Sequence, residues 1–229
     1  MPSQADIPRP SLARIPLYYR RLLRALEDGE EVISSQALGE AAHVPAAQVR
    51  KDLNHLGELG RAGIGYDVHE VAETLHDFLG LKHDKEAIVI GAGNIGRALA
   101  AYPGFERYGL RIVALFDNDP IKIGAKIAGK PVYSLRRLGQ IVRESDVRMG
   151  IVAVPADMAQ EVVDAMVAAG IEAIWNFAPR SVSVPSHVLL ESEDLAARIA
   201  TLSYHMSRKG LASRAANDDD DAEVLAVGQ

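Results

Sequence analysis

The stretch IVIGAGNIGRAL, from Ile88 to Leu99, decides the fold of the larger part of the chain. An apolar segment typical of a buried strand is followed by glycines spaced as G-x-G-x-x-G and then by a helical pattern. In this context the glycines allow a tight turn, close approach of backbone amides to a pyrophosphate, and close packing of the helix. We therefore expect the whole turn to bind a dinucleotide: Gly91, Ala92, Gly93, Asn94, Ile95 and Gly96.

The next apolar segment, LRIVALFDNDP, predicts a second strand that ends at Asp117. An acidic residue about 20 residues beyond the glycines is the expected hydrogen-bond partner of the adenosine ribose. Its carboxylate would repel the 2′-phosphate of NADP(H), so the sequence favours NAD(H). The alternative is that Asp117 serves only the turn DNDP, because Asp and Asn are common in turns.

Strands and helices continue to alternate through residues 149–179, MGIVAVPADMAQEVVDAMVAAGIEAIWNFAP. This alternation predicts an α/β fold with a Rossmann-like, doubly wound parallel sheet. Such sheets bind ligands at the carboxyl ends of their strands. The predicted cleft therefore includes residues after two of the later strands: Val154, Pro155, Asn176, Phe177 and Ala178.

The first part of the chain shows helical periodicity instead. Apolar residues at three- and four-residue steps predict an amphipathic helix that buries Leu12, Ile15, Tyr19, Leu22, Leu23 and Leu26. SSQALGEAA predicts a second helix capped by Ser34 or Ser35. HVP interrupts it, and AAQVRKDLNHLG predicts a third helix after a tight turn.

The third helix places Val49, Leu53 and Leu56 on one face and turns polar residues outward. The glycine-rich segment LGELGRAGIGYDV then predicts a hairpin, so the pattern favours a winged helix-turn-helix over a small helical bundle. The second helix of such a pair enters the DNA major groove. The candidates for base and phosphate contact are Gln48, Arg50, Lys51 and Asn54.

Composition excludes several classes of function. The chain has 229 residues, a formal charge of −6 and no cysteine, which excludes disulfides and thiolate metal sites. The histidines lack metal-ligand spacing, so we expect no metal site. No apolar stretch reaches the length of a membrane span, and the N-terminus lacks a signal-peptide core, so we expect a cytoplasmic protein without a membrane partner.

An enzyme is not expected, although the alternatives stay open. A dehydrogenase needs a proton donor or acceptor beside the hydride path and a substrate pocket. After the glycine turn the histidines are His187 and His205, and 50 residues follow NFAP. The alternatives are a small NAD-dependent oxidoreductase and a domain that binds CoA or another nucleotide, because the glycines recognise pyrophosphate more than nicotinamide.

The chain resembles the Rex family of bacterial redox-sensing transcriptional repressors. The resemblance rests on RIPLYYRRL (Arg14–Leu22), QVRKDL (Gln48–Leu53), GIGYDV (Gly63–Val68), GAGNIGRAL, YPGF (Tyr102–Phe105), FDNDP and NFAP (Asn176–Pro179). It implies a homodimer that binds pseudo-palindromic operator DNA and releases it when NADH replaces NAD⁺. The two nucleotides are competing effector ligands in this scheme.

The resemblance also assigns roles to particular residues. It implies that Arg50 and Lys51 contact DNA, and that Tyr102 lies near the nicotinamide and forms a switch with Arg20 and Asp194. We expect the hairpin to contact DNA through Arg61 and Gly63, although Ala62 stands where the family usually has Arg. A second departure is Asn54-His55-Leu56, where the family commonly has an aromatic residue after RKDL.

The resemblance completes the predicted organisation of the chain. It implies that the last helix, which carries Leu195, Ile199, Leu202 and Met206 on one face, is exchanged between the two subunits. The predicted divisions are a DNA-binding domain (1–83), a Rossmann NAD(H)-binding domain (84–190), a C-terminal dimerisation helix (191–211) and a disordered acidic tail (212–229).

Overall fold

The computed structural model describes residues 7–61 and 63–208 and divides the chain into two compact units between Asp84 and Lys85. The predicted tail and the departure at Ala62 lie outside the described residues. The first unit is helical with a small antiparallel sheet of order β1-β3-β2. Its elements are α1 (Arg9–Glu27), β1 (Val32–Ile33), α2 (Ser35–Ala42), α3 (Ala46–Asn54), β2 (Gly60–Arg61), β3 (Gly65–Asp67) and α4 (Val68–Phe78).

This unit confirms the predicted winged helix-turn-helix. Ser34 caps α2 by accepting a hydrogen bond from the backbone N–H of Ala37 at 3.1 Å. His43 ends the helix in the left-handed conformation, and the chain then turns into α3. Strands β2 and β3 form the predicted hairpin. The sequence interpretation missed β1, which adds a third strand by pairing with β3.

The buried face of α1 differs from the prediction. Leu12 and Leu26 are exposed. The predicted residues Ile15, Tyr19 and Leu22 are buried, together with Ser11, Tyr18 and Ala25, which were not predicted. The predicted face is therefore correct in part, and small or amphipathic side chains fill the positions that Leu12 and Leu26 were expected to fill.

The second unit is built on a seven-stranded sheet of order β10-β9-β8-β4-β5-β7-β6. All adjacent pairs are parallel except β6 with β7. The strands are β4 (Lys85–Ile90), β5 (Leu110–Asp117), β6 (Lys126–Ile127), β7 (Lys130–Ser134), β8 (Met149–Val152), β9 (Ala173–Asn176) and β10 (Leu189–Ser192). The helices between them are α5 (Asn94–Ala101), α6 (Leu138–Glu144) and α7 (Ala159–Ala169).

This order confirms the Rossmann-like, doubly wound sheet. Buried side chains of β4 alternate between the two faces: Ala87 and Val89 join the cluster beside α5, whereas Ile88 and Ile90 join the cluster that includes α6 and α7. The chain winds from β4 towards β5 on one side and later from β8 towards β9 on the other. The topological switch point therefore lies between β4 and β8, where such sheets bind ligands.

A last helix follows the sheet over residues 195–208. It carries the predicted apolar face, and all four apolar residues of that face are more than half exposed: Leu195, Ile199, Leu202 and Met206. The separate assignment of residues 191–211 as a dimerisation helix stays a prediction.

Candidate functional site

The glycine turn lies at the switch point of the sheet. Gly91 has a positive φ of 103°, and a Cβ there would overlap the carbonyl oxygen of Ala153 at the end of β8. A Cβ at Gly96 would overlap the carbonyl oxygen of Gly91, so this glycine lets α5 approach the turn. A Cβ at Gly93 would meet no protein atom within 4 Å. Gly93 therefore faces open space above the N-terminus of α5, the place where a pyrophosphate fits.

Asp117 joins this turn to the end of β5. Its Oδ2 accepts a hydrogen bond from the backbone N–H of Ala92, and its Oδ1 accepts one from Asp119, each at 2.8 Å. The ammonium group of Lys122 lies 3.1 Å from Oδ2. Burial opposes ionisation, but these three donors outweigh it, and the pKa of Asp117 lies below its ordinary value. A fixed carboxylate therefore stands at the expected ribose position.

A cavity of about 390 Å³ opens between these elements. It contains five of the residues predicted for the cofactor site: Gly91, Gly93, Asp117, Val154 and Pro155. Its apolar walls come from both sides of the switch point and suit an adenine ring: Ile90, Phe116, Leu135, Ala153, Met158 and Val162. Asn118 and Lys122 complete the lining. The sequence interpretation missed Leu135, Met158 and Lys122.

The remaining predicted turn and cleft residues have different surroundings. Asn94 and Ile95 are exposed at the start of α5. Asn176 is buried, where its amide oxygen accepts a hydrogen bond from the N–H of Ala178 at 3.0 Å and its amide nitrogen donates to the carbonyl oxygen of Arg180 at 2.9 Å. Asn176 thus holds the NFAP turn in place. Its contact with a cofactor stays a prediction, as do those of Phe177 and Ala178.

An aromatic cluster extends from the end of α5 to β9. Tyr102 is 57% exposed and lies edge-on to Phe105, with ring centroids 5.0 Å apart. Phe105 contacts Trp175, and Trp175 contacts Phe177 at 4.6 Å between centroids. Among the described residues the buried indole Nε1 of Trp175 has no hydrogen-bond partner. The packing of Phe105 supports Tyr102 from one side and leaves the rest of its ring accessible.

The other predicted switch residues lie in different units. Arg20 is exposed on α1 in the first unit. Asp194 in the second unit caps the helix at 195–208, because its Oδ1 accepts hydrogen bonds from the backbone N–H groups of Ala196 and Ala197 at 3.0 Å each. This cap position explains an acidic residue at the helix start without any switch role. The switch stays a prediction.

The candidate DNA-contacting surface lies on α3 and the hairpin. Arg50, Lys51 and Asn54 are exposed on α3, while Val49 and Leu53 are fully buried. A groove of about 500 Å³ separates α3 from the hairpin, and four of the predicted residues line it: Arg50, Asn54, Arg61 and Gly63. The Arg50 guanidinium donates to the Ser35 hydroxyl at 3.0 Å, which orients it over the start of α2.

Behind this surface lies a buried carboxylate that the sequence interpretation missed. Asp52 of α3 has no exposed surface. Its Oδ2 accepts hydrogen bonds from Arg14 Nε at 2.6 Å and from the Tyr18 hydroxyl at 2.8 Å. Its Oδ1 accepts from a terminal nitrogen of Arg14 and from the amide nitrogen of Gln48, both at 2.8 Å. These bonds fasten α3 to α1.

The electrostatics of this group follow from its partners. Burial alone would favour the protonated acid, but the hydrogen bonds from Arg14, Gln48 and Tyr18 hold the pKa of Asp52 well below its usual range. Burial and the bond to Asp52 raise the pKa of Tyr18 above its usual range. The sequence did contain a signal for this site. Asp52 shares the apolar face of α3 with Val49, and a buried acid on such a face needs a hydrogen-bond or ion-pair partner.

Two absences concern the described residues alone. No group of three or more His, Asp and Glu side chains between residues 7 and 208, Ala62 aside, is arranged to hold a metal ion. In the same part of the chain no helix combines the length and the apolar character needed to cross a membrane.

Two family models match the chain, one in each unit. A model described as "Putative DNA-binding protein N-terminus" matches residues 6–54, which include α1 to α3. A model described as "CoA binding domain" matches residues 82–180, which include the glycine turn and the cleft.

Curated relatives match most of the chain. It is 43% identical over 197 residues to the redox-sensing transcriptional repressor Rex of Roseiflexus sp. (strain RS-1), a match that covers 86% of this chain and 90% of that protein. The identity to the Rex protein of Streptomyces coelicolor is 41%, covering 89% and 79%. For Rex 1 of Thermotoga maritima it is 40%, covering 89% and 97%.

Solved structures give the same result for the fold. A crystal structure of RSP in complex with β-NAD⁺ and operator DNA matches with a TM-score of 0.84 and 36% identity, covering 92% of this chain and 97% of that chain. RSP in complex with β-NADH matches with a TM-score of 0.81 and 35% identity, covering 92% and 98%.

Proposed function

The chain belongs to the Rex family of redox-sensing transcriptional repressors, and on that basis we propose that it is a repressor that senses the NADH/NAD⁺ ratio. As a homodimer it binds a pseudo-palindromic operator through its winged helices and releases the operator when NADH binds. The observation that carries this proposal is the match of 92% of the chain to a repressor crystallised with both β-NAD⁺ and operator DNA. It acts in the cytoplasm.

The cofactor site takes NAD(H) across the switch point. The Gly91–Gly96 turn and the N-terminus of α5 hold the pyrophosphate, and Asp117 accepts hydrogen bonds from the adenosine ribose. The side of the cavity that Phe116 and Leu135 form holds the adenine, and the side that Val154 and Pro155 form faces the nicotinamide. The nicotinamide lies towards Tyr102 and towards residues at or just beyond the carboxyl ends of β8 and β9: Val154, Pro155, Asn176, Phe177 and Ala178.

The DNA site combines α3 with the hairpin. Arg50, Lys51 and Asn54 face the major groove, and Arg61 and Gly63 contact the backbone beside it. The redox signal is the single charge by which the nicotinamide rings of NAD⁺ and NADH differ. Tyr102, Asp194 and Arg20 convert this charge difference into release of the DNA. Such a switch requires that NAD⁺ and NADH differ in their affinity for the DNA-binding state and the released state of the protein.

The dimer forms through the helix at 195–208. Its four apolar side chains are between 55% and 66% exposed, which is costly for an isolated subunit and is relieved when a second copy covers them. A two-fold dimer presents two copies of α3 to two half-sites, so the operator must share that symmetry.

Catalysis is not part of this proposal. The titratable side chains that line the described nucleotide cavity are Asp117 and Lys122, and they pair with each other at its ribose end. Their pairing suits them to bind the ribose, and Tyr102 is the titratable side chain that we expect near the nicotinamide. Turnover of NADH that is abolished by Tyr102→Phe or His187→Ala would favour an oxidoreductase instead.

The test is fluorescence anisotropy of a labelled duplex that carries a family-type pseudo-palindromic operator. We expect the protein to bind at low salt and NADH to release the duplex at concentrations at which NAD⁺ leaves the complex intact. CoA serves as a competitor, because the matched family model names that ligand. Binding without any nucleotide response would remove the sensor, and no binding to any duplex would overturn the repressor.

A further inference from the structure

The side chain of Gln48 is held in one orientation by the buried carboxylate of Asp52. Gln48 is the third residue of α3, in the helical turn whose side chains contact base edges in helix-turn-helix proteins. Its amide nitrogen donates to Asp52 Oδ1 at 2.8 Å. One end of a side chain at the expected DNA interface is therefore already occupied within the protein.

The chemistry of Asp52 fixes which end is occupied. A carboxylate that receives two hydrogen bonds from Arg14 and one from Tyr18 is ionised, and an ionised carboxylate can only accept hydrogen bonds. The group that faces it must be the –NH₂ end of the Gln48 amide. The opposite rotamer would set the Gln48 carbonyl oxygen against a buried negative charge.

Other glutamines of the chain show why this pair differs. Gln36 donates to Glu40, and Gln140 donates to Glu144, with the same four-residue spacing. Both of those pairs are exposed, so water can replace either bond at little cost. Asp52 has no exposed surface, so breaking its bond with Gln48 leaves a buried charge short of a donor and costs more than breaking either exposed pair.

The opposite end of the amide is available to DNA. The hydrogen bonds of the described residues leave the carbonyl oxygen of Gln48 without a donor, and the side chain is partly exposed. A free glutamine recognises adenine with both ends of its amide, accepting from N6 and donating to N7. A glutamine whose amide nitrogen already donates within the protein can contact a base only through its carbonyl oxygen, as an acceptor.

We propose that Gln48 contacts the operator as an acceptor only, taking one hydrogen bond from the exocyclic amine of adenine or cytosine, and that Asp52 is the positioning residue that imposes this. Guanine and thymine present carbonyl oxygens at the corresponding sites of the major groove and are disfavoured. The inference rests on the proposed function, because it requires that α3 binds the major groove.

The experiment is selection of duplexes from a library randomised across a two-fold operator, with the full-length protein. We expect one position in each half-site at which adenine and cytosine are preferred over guanine and thymine on one strand, by about tenfold. Gln48→Ala should abolish this preference. Gln36→Ala, which removes a glutamine with the same spacing to an acid but on α2, should leave it intact.

Base analogues test the acceptor without changing the fold. If adenine is selected, its replacement by purine, which lacks the 6-amino group, should weaken binding by about tenfold, and 7-deazaadenine should have no effect. If cytosine is selected, the corresponding analogue is pyrimidin-2-one, which lacks the exocyclic amine of cytosine. Gln48→Ala should bind the natural and modified duplexes equally well. Asp52→Asn removes the charge that fixes the orientation of the amide, so the Gln48 nitrogen can turn towards DNA, and sensitivity to 7-deazaadenine should appear.

The outcomes separate the two proposals. Selection of an operator whose A/C preference survives Gln48→Ala, or equal losses with purine and 7-deazaadenine in the unmodified protein, would overturn this inference and leave the repressor intact. Failure to select any duplex by a protein that still binds NADH would overturn both. A loss of affinity that occurs when the base amine is removed, but not when N7 is replaced, and that depends on Gln48, supports this inference.

Discussion

The nucleotide cavity and the DNA-contacting helix are assembled in opposite ways. The cavity depends on backbone: a positive-φ glycine, a second glycine without room for a side chain, and amides that donate to Asp117. The position of α3 depends on side chains, since Asp52 gathers donors from Arg14 and Tyr18 on another helix. A site made by the backbone tolerates changes in the side chains of its walls. The cluster of Asp52 with Arg14, Tyr18 and Gln48, here called the Asp52 hub, is sensitive to the loss of one carboxylate.

The strongest test of this contrast is Asp52→Ala. The change leaves Arg14, Tyr18 and Gln48 without their shared acceptor and opens a cavity, so we expect the first unit to lose about 3 kcal/mol of stability. Chemical denaturation can follow the two units separately. Trp175, the chain's single tryptophan, reports the second unit by fluorescence, and circular dichroism reports the helices of both.

We expect the variant to shift an early circular-dichroism transition and to leave the Trp175 transition in place. NADH affinity should also be retained. Glu58→Ala, at an exposed residue of the same unit, is the control and should change neither transition. A common shift of both signals would break the contrast, because it would mean that the two units unfold as one.

The pH dependence of this hub follows from the direction of its pKa. The pKa of Asp52 is lower in the folded protein than the usual 3.8, so its contribution is fully present above that value and is lost as the pH falls through the lower, folded value. We therefore expect no loss of stability from Asp52 between pH 8 and about pH 5.

The second test compares two glycines of the nucleotide turn. Gly96→Ala forces a Cβ against the Gly91 carbonyl and should cost roughly 1–3 kcal/mol of stability together with NADH affinity. Gly93→Ala places its Cβ in open space, so the stability of the second unit should be unchanged, while NADH affinity falls because the methyl group occupies the pyrophosphate position. Thermal unfolding and NADH titration separate the two effects. Equal stability losses would show that the turn adapts as a whole.

The same contrast explains what could be predicted from the sequence. The parallel sheet and the nucleotide turn were predicted because strand periodicity and glycine spacing are local patterns, and the backbone geometry follows from them. The hub at Asp52 was missed because its main partner, Arg14, lies 38 residues away on a different helix. No local spacing records that pairing.

Smaller errors have the same origin. Strands β6 and β10 lie at the edges of the sheet, and the identity of β6, β7 and β10 depends on pairing with neighbours rather than on a strong apolar pattern. Lys122 lies two residues beyond the quoted segment LRIVALFDNDP, and its approach to Asp117 is created by the turn that follows β5. The buried face of α1 was predicted only in part, because Tyr18 and Ser11 are buried for their contacts with the Asp52 site, and hydrophobicity does not predict that.

The third test concerns Asp117, the side chain that receives the backbone hydrogen bonds of the nucleotide turn. Asp117→Ala should lower NADH affinity by about 10-fold or more, since it removes a charged acceptor from the ribose and frees Lys122. In the unmodified protein, affinity should be constant from pH 8 to about pH 5, because the pKa of Asp117 is already below its ordinary value. Asp146→Ala, at an exposed acid outside the cavity, is the control. Unchanged affinity in Asp117→Ala would restrict this residue to the turn DNDP.

The smallest expected effect belongs to the exposed charges of α3. Lys51 lies outside the Asp52 hub, so Lys51→Ala should leave the stability of the first unit unchanged and weaken binding about equally for all duplexes. Loss of one phosphate contact should reduce the slope of log affinity against log salt by about 0.9. Lys126→Ala in β6 should leave the slope unchanged. If Lys51→Ala alters base preference instead, Lys51 contacts a base edge, and sequence recognition by α3 is not confined to side chains held by buried partners.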